Sequence, residues 1–233
     1  MSDTGPVGEK PRLYGYWRST AAYRVRIALG LKGIEWQSVP VHLVQDGGQQ
    51  HGAAYREVNP SRLVPALEID GQVLTQSLAI CEYLDERWPE PPLLPADPSD
   101  RAWVRSLALD VACDLHPLNN LRVQQHLRRQ WRADDSSLRH WMHHWMDLVL
   151  TGVEERLSRR GDPGPCVLGE KPGLADLCLV AQAYNCDRFG FELKPFPQVS
   201  RVLSHCRALP AFRAAEPERQ PDAPVSPRRG DGP

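Results

Sequence analysis

The sequence predicts an α/β domain followed by an all-α domain, joined by a proline-rich linker. Three observations carry this. Short strand signals alternate with helical ones over the first ninety residues. Trp88 to Pro98 then holds five prolines in eleven residues, a density incompatible with a helix interior or a central strand. Beyond it the chain keeps helical periodicity to about residue 216 and shows no strand alternation. With 233 residues, 41% hydrophobic and 24% charged, the chain is long and apolar enough for a core in each part.

Arg12 to Trp17 (RLYGYW) is short and aromatic-rich and reads as a strand. Ala21 to Leu31 places Val25, Ala28 and Leu29 at helical spacing, with Gly33 as a stop. Glu35 to Leu43 alternates like a strand, and Pro40 assigns it to a sheet edge. Ala66 to Thr75 reads as a hairpin turned by Asp70-Gly71. Gln76 to Arg87 is a helix with Leu78, Cys81 and Leu84 on one face. Strand, helix, strand, loop, strand, strand, helix is the thioredoxin-like order. The division expected is an N-terminal tail (1–11), a thioredoxin-like domain (12–88), the linker (89–99) and an all-helical domain (100–216). Its helical segments are 100–131, 136–159, 174–189 and 196–208. Residues 217–233, with five prolines and no aromatic, are expected to be a disordered tail.

Composition narrows the function classes. A net charge of −1 offers no electrostatic reason for nucleic acid or an anionic membrane as partner. No run approaches 18 consecutive apolar residues, and the first eleven are polar, so neither a transmembrane span nor a secretory leader is expected and the cytoplasm is the expected location. The six cysteines are scattered with no C-x-x-C pair, which reads as free thiols in or near the core. His140, His143 and His144 have the spacing of helical metal ligands but no acidic or cysteine partner nearby, so no metal is expected. Gly173 stands at the cap before LADLCLV, leaving Asp176 as half of a capping box.

Three places offer chemistry. Val64-Pro65 precedes a strand; the proline is either punctuation or a cis peptide, and the latter would leave the Val64 N–H and C=O free for an extended ligand. Gln76-Ser77 opens a helix, where Ser77 is either an N-cap or part of a carboxylate site fed by free N–H groups. Arg18-Ser19-Thr20-Ala21 turns from the first strand into the first helix. Its hydroxyls are caps, or they steady a thiolate at the positive end of the helix dipole. No cysteine sits in that turn, so a thiol there must come from a ligand.

Together these stretches resemble the glutathione transferase superfamily, and most closely its zeta class, the maleylacetoacetate isomerases. The residues that carry the resemblance are YWRSTAAYRVRIALGLKGI (16–34), LVQDGGQQ (43–50), NPSRLVPALEIDG (59–71), TQSLAICEYLDERWP (75–89), HPLNN (116–120), LADLCLV (174–180), DRFGFELKPFP (187–197) and RQPDAP (219–224). The resemblance implies a thioredoxin-like domain that binds glutathione as cofactor, followed by a helical glutathione-transferase C-terminal domain, in a homodimer. It implies that Val64, before Pro65, pairs with the cysteinyl backbone, that Gln76 and Ser77 hold the γ-glutamyl end, and that Gln50 approaches the glycyl end. His116 and Asn120 would face the cleft. Arg18, Ser19 and Thr20 would act at the sulfur, and Arg18 and Arg188 would bind the carboxylates of a small dicarboxylic substrate. Ala21 replaces the cysteine of the animal Ser-Ser-Cys motif, and Leu121 replaces an arginine of relatives that act on maleylpyruvate. The reaction implied is glutathione-dependent cis–trans isomerisation of maleylacetoacetate. Maleylpyruvate isomerisation and general glutathione transfer are the alternatives, and a non-catalytic module is a third.

Overall fold

The computed structural model describes residues 9–162 and 164–224. Its strands, β1 (Arg12–Gly15), β2 (Gln37–Pro40), β3 (Ala66–Ile69) and β4 (Gln72–Thr75), form one sheet in the order β2-β1-β3-β4. β1 is parallel to β2 and antiparallel to β3, and β3 pairs with β4 across the Asp70–Gly71 turn. A parallel pair needs a crossover, which α1 (Thr20–Leu31) provides. Side chains alternate across the sheet. Leu13 and Leu67 join the core beneath α1 and α3 (Ser77–Arg87), whereas Tyr14 and Ala66 pack with Val41 and Tyr55 on the other face.

Tyr55 belongs to α2 (Ala53–Val58), within a segment that the sequence reads as loop. Six residues are too few for periodicity to register.

The second part holds α4 (Pro98–Leu109), α5 (Leu121–Trp131), α6 (Asp135–Arg160), α7 (Leu174–Phe189), α8 (Pro197–Ala208) and α9 (Pro210–Ala214). Pro98 sits at N1 of α4, where its missing N–H costs nothing, and the Asp97 side chain caps the helix. α7 is buried almost all round and packs against α1, α4 and α8. One apolar core therefore runs from Leu29 and Leu84 through Leu107 and Leu177 to Phe212. The buried Lys32–Asp85 pair fastens the linker to the first part: Asp85 also accepts the N–H groups of Leu93 and Leu94, and Lys32 donates to the Pro91 carbonyl.

The expectation of a disordered tail is corrected over 217–224. Pro217 is buried at the start of a 3-10 turn, Tyr184 donates to Glu218 at 2.8 Å, and Asp222 accepts the Trp17 N–H at 2.9 Å. A proline-rich segment needs no core of its own when it docks on an existing one. The rest of that tail, 225–233, and residues 1–8 lie outside the described residues.

Five of the six cysteines are buried and Cys113 is exposed. His143 bonds the Phe189 carbonyl at 2.8 Å while His140 and His144 are exposed, so the three histidines do not converge. Cys166, Asp176 and Cys206 do converge. There the Asp176 carboxylate already accepts the N–H groups of Val167 and Gly173, both at 2.8 Å, as the cap of α7.

Candidate active site

The chain leaves β1 at Gly15 and turns through Tyr16–Ser19 into α1. Ser19 Oγ accepts the Ala22 N–H at 3.2 Å, which makes Ser19 the N-cap. Its hydroxyl proton is left free to donate elsewhere. Thr20 Oγ1 lies 2.8 Å from His116 Nδ1, across the domain boundary. The Arg18 guanidinium stacks on the Trp17 ring at 5.3 Å.

His116 reaches this turn because the helical run expected over 100–131 breaks. α4 ends at Leu109, a π turn follows over Asp110–Leu115, and Pro117 blocks continuation until α5. Burial, then the Arg24 and Arg122 charges, push the His116 pKa down from 6.5 to about 3. The imidazole is therefore neutral in the native state at ordinary pH. An unfolded chain binds one more proton there below about 6.5, so native stability should fall as pH drops through that value. The difference in urea midpoint between the parent and His116→Asn, followed from neutral pH down to about 5, should isolate this slope, because contributions of other groups such as buried Asp176 are common to both. An unchanged slope in the variant would contradict a neutral His116.

Three adjoining cavities share His116 and Asn120. The largest, 480 Å³, is lined by Val64, Pro65, Gln76, Ser77 and Arg24. The Val64–Pro65 peptide is cis, and Val64 makes no backbone pairing among the described residues. Gln76 is held at φ 68°, ψ 115°, an uncommon conformation for a non-glycine residue that places it at the mouth of α3. Ser77 is buried behind it, with its Oγ accepting from Arg24.

The second cavity, 290 Å³, is lined by Gln50, Arg62 and Leu63 together with Ser19 and Val64. Gln50 is 8% exposed; its Nε2 donates to the Leu43 carbonyl, while its Oε1 has no partner among the described residues. Gly48, at φ 100°, makes room for it, because a Cβ there would lie 2.5 Å from the Gln50 amide. Gly48→Ala should displace the Gln50 amide and lower the melting temperature by a few degrees, because a Cβ at this φ is both strained and crowded. Thermal melting monitored by circular dichroism would check this.

The smallest cavity, 80 Å³, gathers Arg18, Arg188, Asn119 and Asn185 beside Thr20. Arg188 donates to Asn185 Oδ1 at 3.4 Å and lies over the Phe189 ring at 4.7 Å. Partial burial and then the neighbouring Arg18 charge lower its pKa. Two like charges held together in this way favour an anion between them. Leu121 adds an apolar wall.

Every site residue named from the sequence lines one of these cavities: Arg18, Ser19, Thr20, Gln50, Val64, Pro65, Gln76, Ser77, His116, Asn120 and Arg188. Asn120 also caps α5 through Oδ1 to the Arg122 N–H. Sequence reasoning missed Arg24 and Asn119. A signal for Arg24 was present, an arginine among the apolar residues of a helix buried along nearly its whole length. Asn119 carried none, because its buried and unpaired amide is visible only in three dimensions.

Residues 18–87 match the family model of the glutathione S-transferase N-terminal domain. The maleylacetoacetate isomerase of Pseudomonas aeruginosa is 49% identical over 216 residues, covering 92% of this chain and 100% of that protein. A holo structure of a bacterial zeta-class maleylpyruvate isomerase superposes with a TM-score of 0.89 at 41% identity, covering 91% of this chain and 100% of that one. The chain is a zeta-class glutathione transferase. Within that class, the maleylacetoacetate isomerase structure from Methylobacterium extorquens AM1 superposes with a TM-score of 0.87 at 41% identity. It covers 92% of this chain and 100% of that one, and it holds malonate and glutathione.

The zeta-class cleft also fits glutathione on its own chemistry. An extended tripeptide with two carboxylates needs a free backbone pair, an amide and a buried donor. Among the described residues Val64 has a free backbone pair, Gln50 has an amide oxygen able to accept a peptide N–H, and Ser77, whose Oγ accepts from Arg24, keeps its own hydroxyl proton to donate.

Proposed function

We propose that this chain is a glutathione-dependent maleylacetoacetate isomerase, which converts the cis-enediacid into trans fumarylacetoacetate. The observation that carries the reading is the position of one turn. Ser19 lines both the cavity of Gln50 and Val64 and the one holding Arg18 and Arg188; Thr20 lines the latter, and its partner His116 lines all three, including the cavity of Gln76 and Ser77. Glutathione, when bound, supplies a thiol whose reversible addition lets the maleyl double bond rotate, and it is returned unchanged.

The protein's own residues do the rest. Val64 holds the cysteinyl backbone, Gln76 and Ser77 the γ-glutamyl end, and Gln50 the glycyl end. Ser19 and Thr20 sit at the start of α1, where hydroxyl protons and the helix dipole both favour a thiolate. His116 carrying its proton on Nδ1 donates to Thr20 Oγ1 and turns the threonine proton toward the sulfur. Arg18 and Arg188 take the substrate carboxylates and fix its pose, which removes orientational entropy from the step. The working unit in this reading is a cytoplasmic homodimer that takes a small dicarboxylate as substrate. For the described residues, no helix is long and apolar enough to cross a membrane.

Thiol titre tests the reading against general transfer. During complete conversion of the cis substrate the free thiol concentration should stay constant; stoichiometric loss of thiol would replace the isomerase with a transferase.

A further inference from the structure

Arg24 is the most deeply buried charge in the cleft. It lies inside α1 at 1% exposure, and its Nη1 donates to Ser77 Oγ at 3.2 Å. Among the described residues its Nε and Nη2 have no acceptor and no ion pair includes it. The charged side chain beside it in the cavity lining is Arg122, another cation, and His116 is neutral there. A buried guanidinium without a counter-ion is expensive to keep. The same chain does pair a buried cation elsewhere, at Lys32–Asp85.

The geometry supplies a use for that charge. Ser77 has one proton to donate. Because Arg24 occupies an acceptor position on Oγ, the serine proton is directed away from the guanidinium, and both residues line the 480 Å³ cavity beside Gln76. We propose that Arg24 is a positioning residue for glutathione. It orients Ser77 as a donor and supplies the counter-charge for the γ-glutamyl α-carboxylate. The inference rests on the reading that Gln76 and Ser77 hold the γ-glutamyl end. In the ligand-bound protein Arg24 acquires the negative partner it lacks, and the carboxylate acquires a cationic neighbour through a hydroxyl relay. A merely structural role would instead have Arg24 tie α1 to the start of α3.

Calorimetry with two ligands separates these roles. Glutathione carries the α-carboxylate; 4-aminobutyryl-cysteinylglycine is the same chain without it. Arg24→Met should weaken glutathione binding roughly tenfold or more, the scale of a lost charge-assisted hydrogen bond. It should leave affinity for the decarboxylated analogue nearly unchanged, so the preference for glutathione collapses. Arg24→Gln keeps a donor for Ser77 without the charge, folds more readily in a polar pocket, and should lose part of the same preference. If either folded variant weakens both ligands by one common factor, Arg24 serves the α1–α3 contact alone and the proposal is overturned. If Ser77→Ala leaves glutathione affinity unchanged, the γ-glutamyl end is misplaced and the proposal falls with that reading.

Discussion

Replacing Arg188 by methionine is expected to lower kcat/KM for maleylacetoacetate by roughly a hundredfold, nearly all of it through KM, as the loss of a charge-assisted carboxylate contact predicts. Arg188 shares the smallest cavity with Arg18, and the Gln76–Ser77 pair lines a different one. Glutathione affinity should therefore stay within about twofold. The empty protein should not lose stability, because Arg188 makes no ion pair among the described residues and partial burial and Arg18 both act against its charge. Thermal melting of the ligand-free variant should thus match the parent. Arg188→Lys should recover only part of the loss, since an ammonium lacks the planar fork that grips a carboxylate. Equal weakening of glutathione binding would show instead that Arg188 supports the fold.

Thr20→Ala should lower kcat by at least tenfold without disturbing the helix. The Ser19 cap remains in place, and what disappears is the hydroxyl between His116 Nδ1 and the start of α1. A free thiol of pKa about 8.5 is only a few per cent ionised at neutral pH, so each unit lost in the bound state removes about tenfold of the thiolate. The ultraviolet thiolate band of bound glutathione, followed against pH, should move upward in the variant. Ser19→Ala should show a second signature. Besides a rise in thiol pKa it should lose about 1 kcal/mol of stability, because an N-cap goes with the hydroxyl. Thr20→Ser should behave like the parent. If the thiolate band stays in place in both alanine variants, the helix N-terminus and Arg18 hold the sulfur, and the two hydroxyls serve only the fold.

Local signals made most of the fold legible. The period-two strands, the Asp70–Gly71 turn and the apolar faces of α1 and α3 depend on neighbours a few residues apart. Periodicity over six residues cannot announce α2, and composition alone misreads Pro217–Pro224, whose order comes from Trp17 and Tyr184 in other elements. The site divides in the same way. Val64, Gln76 and the Ser19–Thr20 turn stand out because their motifs are contiguous. The roles of Arg24 and Asn119 do not, because Arg24 meets its serine 53 positions away and Asn119 is defined by the contacts it lacks. The contact between Thr20 and His116 spans 96 positions. HPLNN marked His116 as a residue facing the cleft, and only the π turn before it shows how it arrives there.

The most direct test is conversion of maleylacetoacetate with glutathione present at a small fraction of the substrate concentration. Proton magnetic resonance would follow the vinyl coupling constants. The account predicts complete conversion of the cis pair to the trans pair, no conversion above background when glutathione is omitted, and no glutathione adduct at the end. Conversion that stops when the glutathione is exhausted, or that proceeds equally well without it, would contradict the account.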